Sequence, residues 1–362
     1  MPPQLYYFLA FTISTLVVLF LTPLVKNIAL SSGKVDLPNE RKVHDRPMVR
    51  LGGIAIFTGT LAGLLTVWFA DGFENFHALQ PQVVELKTLH QLRPEVLGLT
   101  IGGLGFFIIG LADDFFTLSA FLRLFLQIIV ASWTWSTGVK IEFLSVPFFG
   151  EPHLLYGFSW PITVIWLVGL TNAINWIDGL DGLAAGVTGI AAVIMLVVCL
   201  FKGKIAAALI LAALAGSCLG FLRYNFNPAQ IFMGDGGAYF MGFTLAGSGI
   251  IGLVKGTAFT SVALLYLILA VPITDMSAVM FNRISKGKYP WIADKGHLHH
   301  RLLQAGLSHK STVLYIYVLT LWVGSLALAF AGLPSGFAYA IASTFLLAYI
   351  TWQVWLKNKS EP

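Results

Sequence analysis

Charge is what this chain has least of. Only 11% of its 362 residues are Asp, Glu, Lys or Arg, against about 25% in a soluble domain. So few charges cannot clothe two soluble domains of ordinary size, which excludes that reading of the length. Cysteine is scarce too. Cys199 and Cys218 each sit inside an apolar run, which leaves no disulfide framework and no cysteine-bound metal and makes both small buried residues. No internal repeat and no low-complexity linker breaks the chain. Only Met1-Pro2-Pro3-Gln4 precedes the first apolar run. The basic flank of a cleaved signal peptide is therefore missing, and the run is expected to persist as a helix.

What the chain has instead is apolar length. It is 57% hydrophobic with a mean hydropathy of +0.80. Segments long and apolar enough to span a bilayer, at roughly 20 residues each, fall at 5–25, 52–70, 94–112, 119–138, 158–173, 183–201, 204–222, 237–253, 259–281, 313–331 and 337–356. The expectation is an all-α polytopic membrane protein of about eleven transmembrane helices, with residues 1–362 forming a single integral membrane domain. The segment 158–173 is short, and 237–253 is rich in glycine, which suits close helix contact in a bilayer. Between two spans, Phe143 to Tyr156 is a Pro/Gly/aromatic stretch that reads as a short hairpin or an interfacial loop.

The formal charge of +5 belongs to the basic rim of such a protein and not to a nucleic-acid surface. When the connections are numbered alternately, all the Lys and Arg fall on one side except Lys87, Arg93, Lys140, Lys202, Lys204 and Lys255. The basic side faces the cytoplasm, which puts the N-terminus outside and the C-terminus inside. Its segments are 26–51, 113–118, 172–182, 223–236 and 282–312. Every polar cluster with chemical potential lies in them: Arg41 to Arg46, Asp113-Asp114, 172–182, Asn225 to Asp235, and His297 to Arg301. Such sidedness favours a reaction at the membrane surface. A transporter of lipid-linked sugars would be expected to place ionisable groups near the midplane.

Four of those clusters carry specific chemistry. Asn172, Asn175, Asp178 and Asp181 recur every third residue, so neighbours share a helical face. That is more polarity than a turn needs, and ionisable groups at a membrane edge are functional by default. Asp113-Asp114 closes an apolar run and is followed by Arg123 and Gln127. Adjacent carboxylates repel and persist where a cation or basic ligand shares their charge. A DDxxD diphosphate motif is excluded, because the last Asp is absent. Phe232-Met233-Gly234-Asp235-Gly236-Gly237 sets a carboxylate in a glycine turn, where it suits Mg²⁺ bound to substrate phosphates. His297-Leu298-His299-His300-Arg301 lies in a basic loop. Its spacing is too tight for a structural zinc site and fits contact with an anionic nucleotide.

Together these motifs resemble the polyprenyl-phosphate N-acetylhexosamine-1-phosphate transferase family over nearly the whole chain. The matching residues are Pro38-Asn39-Glu40-Arg41-Lys42-Val43-His44, Arg50-Leu51-Gly52-Gly53, Asp113-Asp114, Asn172 to Gly182, Met233-Gly234-Asp235 and His297 to Arg301. The His-Leu-His-His form points to the undecaprenyl-phosphate N-acetylglucosamine-1-phosphate branch. The sister branch, which transfers phospho-MurNAc-pentapeptide, carries consecutive histidines there. The resemblance implies an enzyme of the inner (plasma) membrane that uses Mg²⁺, with Mn²⁺ as a substitute. Its substrates would be a UDP-sugar and polyprenyl phosphate, its product a lipid-linked sugar for cell-envelope polysaccharide; a homodimer is left open. By motif, Asp113 and Asp114 would be catalytic, and Asp235 and Asn175 would hold the metal. Asp178, Asp181, Asn225 and Phe232 would line the nucleotide. His297, His299, His300 and Arg301 would meet the sugar-phosphate, and Asn172, Arg123 and Lys42 the lipid phosphate. Arg123 departs from relatives that carry Lys, and its fork geometry differs. A CDP-alcohol phosphotransferase is the rival that Asp178 to Gly182 suggests; that family needs an Arg shortly after and then a further Asp pair, whereas Ala184-Ala185-Gly186 follows here.

Overall fold

The computed structural model describes residues 3–33, 48–73, 94–144, 153–154, 156–254, 259–287, 289 and 296–360. The described residues are helical almost throughout. The helices are α1 (Pro3–Ser31), α2 (Gly53–Phe73), α3 (Pro94–Phe116), α4 (Ala120–Ser136), α5 (Ser159–Ile177), α6 (Leu183–Phe201), α7 (Ile205–Asn225) and α8 (Gly234–Gly249). They continue with α9 (Phe259–Ile268), α10 (Ala270–Ser285), α11 (Leu298–Gln304), α12 (His309–Phe330) and α13 (Gly336–Ser360). Eight helical stretches are long and apolar enough to cross a membrane, and Gly53–Phe69 and Ala120–Ser136 are shorter apolar helices. Phe143–Leu144 pairs antiparallel with His153–Leu154, so the expected hairpin is present.

One expected span is two helices. The run 259–281 breaks at Leu269, between α9 and α10. Pro272 sits in the first turn of α10 and has no N–H to bond the Ile268 carbonyl four residues back, which ends one ladder and starts another. Inside the spans, buried hydroxyls turn back onto their own helix: Thr60 Oγ1 donates to the Ile56 carbonyl at 2.9 Å and Thr163 Oγ1 to that of Ser159 at 2.7 Å. That satisfies them where water cannot. Cys199 and Cys218 are buried free thiols.

The glycine-rich α8, with the turn that continues it to Val254, is the centre of the bundle. Its most apolar window is 94% buried, against 6% for α13. Helices α2, α3 and α5 pack around it, with Phe106 stacked on Phe243 (4.4 Å) and Phe57 edge-on to Phe240 (5.2 Å). The approach is close because the contact residues are small. A Cβ on Gly110 of α3 would run into the backbone carbonyl of Asp235. Bringing α3 this near places the end of one helix against the start of the other, and there the polar residues gather.

Candidate active site

Asp113 and Asp114 sit in the last turn of α3 and are split by the helical geometry, since neighbours on a helix point about 100° apart. Asp114 turns to α8. Its Oδ1 accepts from the Asp235 N–H at 2.9 Å and its Oδ2 from the Gly236 N–H at 3.0 Å. Met233, the residue that precedes α8, offers no side-chain cap, so the first turn is capped from another helix, with the carboxylate on the positive end of the dipole. Gly234 makes the arrangement feasible: its φ is +71°, and a Cβ would press on Asp114 and on the Arg50 carbonyl. Asp113 turns the other way. Its Oδ2 meets Arg123 Nη1 at 2.6 Å and its Oδ1 accepts from the Leu118 N–H at 2.7 Å.

Asp235, thus fixed, takes a hydrogen bond from Asn175 Nδ2 at 2.6 Å on Oδ1, and Arg50 Nη2 lies 3.9 Å from the same oxygen. Carboxylates crowded into a largely buried space call for a cation, and this donor set fits a hard divalent ion. Among the described residues no three His, Cys, Asp or Glu side chains form a metal cage. A bound Mg²⁺ would therefore complete its shell with substrate phosphate and water, as that ion commonly does.

The loop after α5 closes the other side. Asp178 ends the helix, its N–H bonded to the Asn175 carbonyl at 3.2 Å. Burial pushes its carboxyl up to about 7; Arg50 pulls the other way, and the charges of Asp235 and Asp181 add to the rise. Asp181 Oδ2 accepts from Asn227 Nδ2 (3.0 Å) and the Ala229 N–H (2.9 Å), while the Asp181 N–H donates to His309 Nε2 at 2.9 Å. Phe232 is tied through its backbone to the strand-like segment before α2: its N–H donates to the Val49 carbonyl at 2.8 Å and its carbonyl accepts from the Gly52 N–H at 2.9 Å.

The histidines stand on α11. His297 Nδ1 is 2.9 Å from Asp275 Oδ2, and the Leu298 N–H donates to Asp275 Oδ1 at 2.7 Å. The His297 ring meets Trp176 edge-on (5.9 Å) and lies parallel to His299 (5.7 Å). His299 is buried against Gly179, where a Cβ would strike its ring, and its pKa is lowered to about 3 by burial and by the neighbouring His300 and His297. His300 is half-buried and Arg301 exposed.

Residues 96–253 match glycosyl transferase family 4. A protein named probable undecaprenyl-phosphate N-acetylglucosaminyl 1-phosphate transferase from Bacillus subtilis is 38% identical over 86% of this chain and 81% of its own. The decaprenyl-phosphate N-acetylglucosaminephosphotransferase of Mycobacterium leprae is 34% identical over 87% of this chain and 80% of its own. The undecaprenyl-phosphate alpha-N-acetylglucosaminyl 1-phosphate transferase of Pasteurella multocida is 31% identical over 83% and 79%. The chain belongs to glycosyl transferase family 4. The resemblance drawn from the motifs is borne out by these relatives.

Within this family member, hydrogen bonds join Asp114, Asn175 and Asp235, Asp113 and Arg123 pair beside them, Asp178 and Asp181 stand in the loop after α5, and the histidine helix meets the end of α5 and that loop through Trp176 and Gly179. Two residues expected in ligand contacts are engaged otherwise. Asn172 Nδ2 donates to Gln127 Oε1 (2.7 Å) and the Val168 carbonyl (2.8 Å), so both its N–H bonds are engaged within the fold. Asn225 is 2% exposed; its Oδ1 accepts from the Gly182 N–H at 3.0 Å and its Nδ2 donates to the Ile231 carbonyl at 2.9 Å. It ties two loops together rather than facing a nucleotide. Lys42 lies outside the described residues. Two residues without an assigned role join the site: Arg50, visible within a matching motif, and Asp275, whose signal was a lone carboxylate inside an apolar run.

Proposed function

We propose that the protein transfers N-acetylglucosamine 1-phosphate from UDP-N-acetylglucosamine to undecaprenyl phosphate, releasing UMP and leaving a lipid-linked sugar for cell-envelope polysaccharide. The observation that carries this is the meeting of Asp114, Asn175 and Asp235 from three separate helices around one crowded anionic position. The names of the relatives support the donor and the acceptor class. The basic side of the chain, and with it this site, is read as cytoplasmic, at the inner membrane.

The lipid phosphate attacks the β-phosphorus of the UDP-sugar, one P–O bond forms, the bond to UMP breaks, and UMP leaves. A phosphate monoester has a second pKa of about 6 and is largely dianionic at neutral pH, so no strong base is needed. The barrier is repulsion between anions. Asp235, oriented by Asn175, would hold Mg²⁺, whose charge would neutralise the diphosphate. Asp114 holds the backbone of Asp235 in place. Arg123, paired with Asp113, keeps spare N–H bonds for a phosphate oxygen. Purified protein given UDP-N-acetylglucosamine should release UMP only when undecaprenyl phosphate and Mg²⁺ are both present. UMP formation indifferent to the lipid, or sugar-lipid flux without UMP, overturns the reading.

A further inference from the structure

Asp275 is a carboxylate buried to 8% exposure in α10, where it is the one acidic residue. Burying an ionisable group there is costly unless it is fully engaged. One of its oxygens caps α11 through the Leu298 N–H, and a hydroxyl would suffice for that. The other oxygen is committed to His297 Nδ1 at 2.9 Å. With Asp275 as the acceptor, Nδ1 carries the proton and Nε2 is the ring nitrogen that Asp275 leaves free. Nε2 makes no hydrogen bond to a described residue. The ring cannot turn away: Trp176 stands edge-on at 5.9 Å, His299 lies parallel at 5.7 Å, and Arg283, eight residues along α10 from Asp275, covers the Trp176 face at 5.0 Å.

We infer that Asp275 is a positioning residue for the transfer reaction: it selects the His297 tautomer and aims Nε2 at the sugar-phosphate of the donor. The inference rests on the proposed function. The test is a double-mutant cycle of Asp275→Asn and His297→Ala, read as UMP release with each substrate varied in turn. Loss of a charge-assisted hydrogen bond should lower kcat/KM for UDP-N-acetylglucosamine by about tenfold to a hundredfold, with KM for undecaprenyl phosphate unchanged. In the His297→Ala background, Asp275→Asn should cost less than about twofold, because its partner is already gone. Should Asp275→Asn fail to accumulate, Asp275→Glu carries the test: it keeps the charge, shifts it by one methylene, and should show the same donor-specific loss. Additive losses, or equal losses for both substrates with a lower unfolding temperature, would make Asp275 purely structural and overturn the inference. Wild-type turnover is read first; its absence sinks the transferase reading and this inference with it, whereas wild-type activity with an additive cycle sinks this inference alone.

Discussion

Asp114→Asn separates two roles for the second carboxylate of the pair. In the structure Asp114 accepts from two backbone N–H groups at 2.9 and 3.0 Å. Asparagine keeps one acceptor oxygen and turns an NH₂ towards the other N–H, so one bond is lost and a donor faces a donor. A lost helix cap costs about 1 kcal/mol, and a buried N–H left unpaired costs about 1–3 kcal/mol. The expected loss is therefore about 2–4 kcal/mol, or roughly 30- to 700-fold in the folding equilibrium at about 1.4 kcal/mol per tenfold. The displaced first turn carries Asp235 with it, so UMP release should fall as well. The assay is thermal unfolding in detergent beside turnover, with Asp114→Ala as a second variant. If both variants unfold at the wild-type temperature while turnover collapses, Asp114 acts on substrate directly and the capping argument is wrong.

Asp235→Ala should abolish UMP release, and added Mg²⁺ should not restore it; near-normal turnover would remove Asp235 from the metal position. Gly110→Ala places a methyl against the Asp235 carbonyl and should destabilise by about 1–3 kcal/mol, seen as a lower unfolding temperature with activity falling in step; an unchanged protein would show that α3 can retreat. His299 is held to about 3, below its ordinary 6.5, so the folded protein resists protonating it. Its contribution is present above pH 6.5 and is lost as pH falls from there towards 3. His299→Gln should flatten that acid limb in an unfolding-temperature series from pH 4 to 8; parallel wild-type and variant curves would contradict the burial argument.

Hydropathy made the eleven apolar segments legible, because a helix in lipid must be apolar along its length whatever it packs on. It did not reveal the break at Leu269: Pro272 is as apolar as its neighbours, and what matters there is a missing N–H. The site was legible as a set of polar residues on one side of the chain. Their division of labour was not. Asn172, Asn175 and Asn225 look alike in sequence, yet only Asn175 turns its amide to a site carboxylate. The direction of an amide is set by partners elsewhere in the chain: Gln127 for Asn172, Asp235 for Asn175 and Gly182 for Asn225. The Asp113-Asp114 pair reads as one unit, but the helix separates the two side chains and gives them to different neighbours. Asp275 was hidden by the apolar run around it.

Helix α13 has one substantial neighbour, α12, joined by Trp322 Nε1 to Thr344 Oγ1 at 2.9 Å and by the Ser325–Ser343 hydroxyl pair at 2.7 Å. Most of the rest of its described surface is exposed and apolar, as lipid requires. Evolution is therefore free to redraft most of that outer face, provided it stays greasy, and an experimenter is equally free to hang a fluorophore or spin label there. A reporter on the outer face of α13 can record how the protein sits in its bilayer.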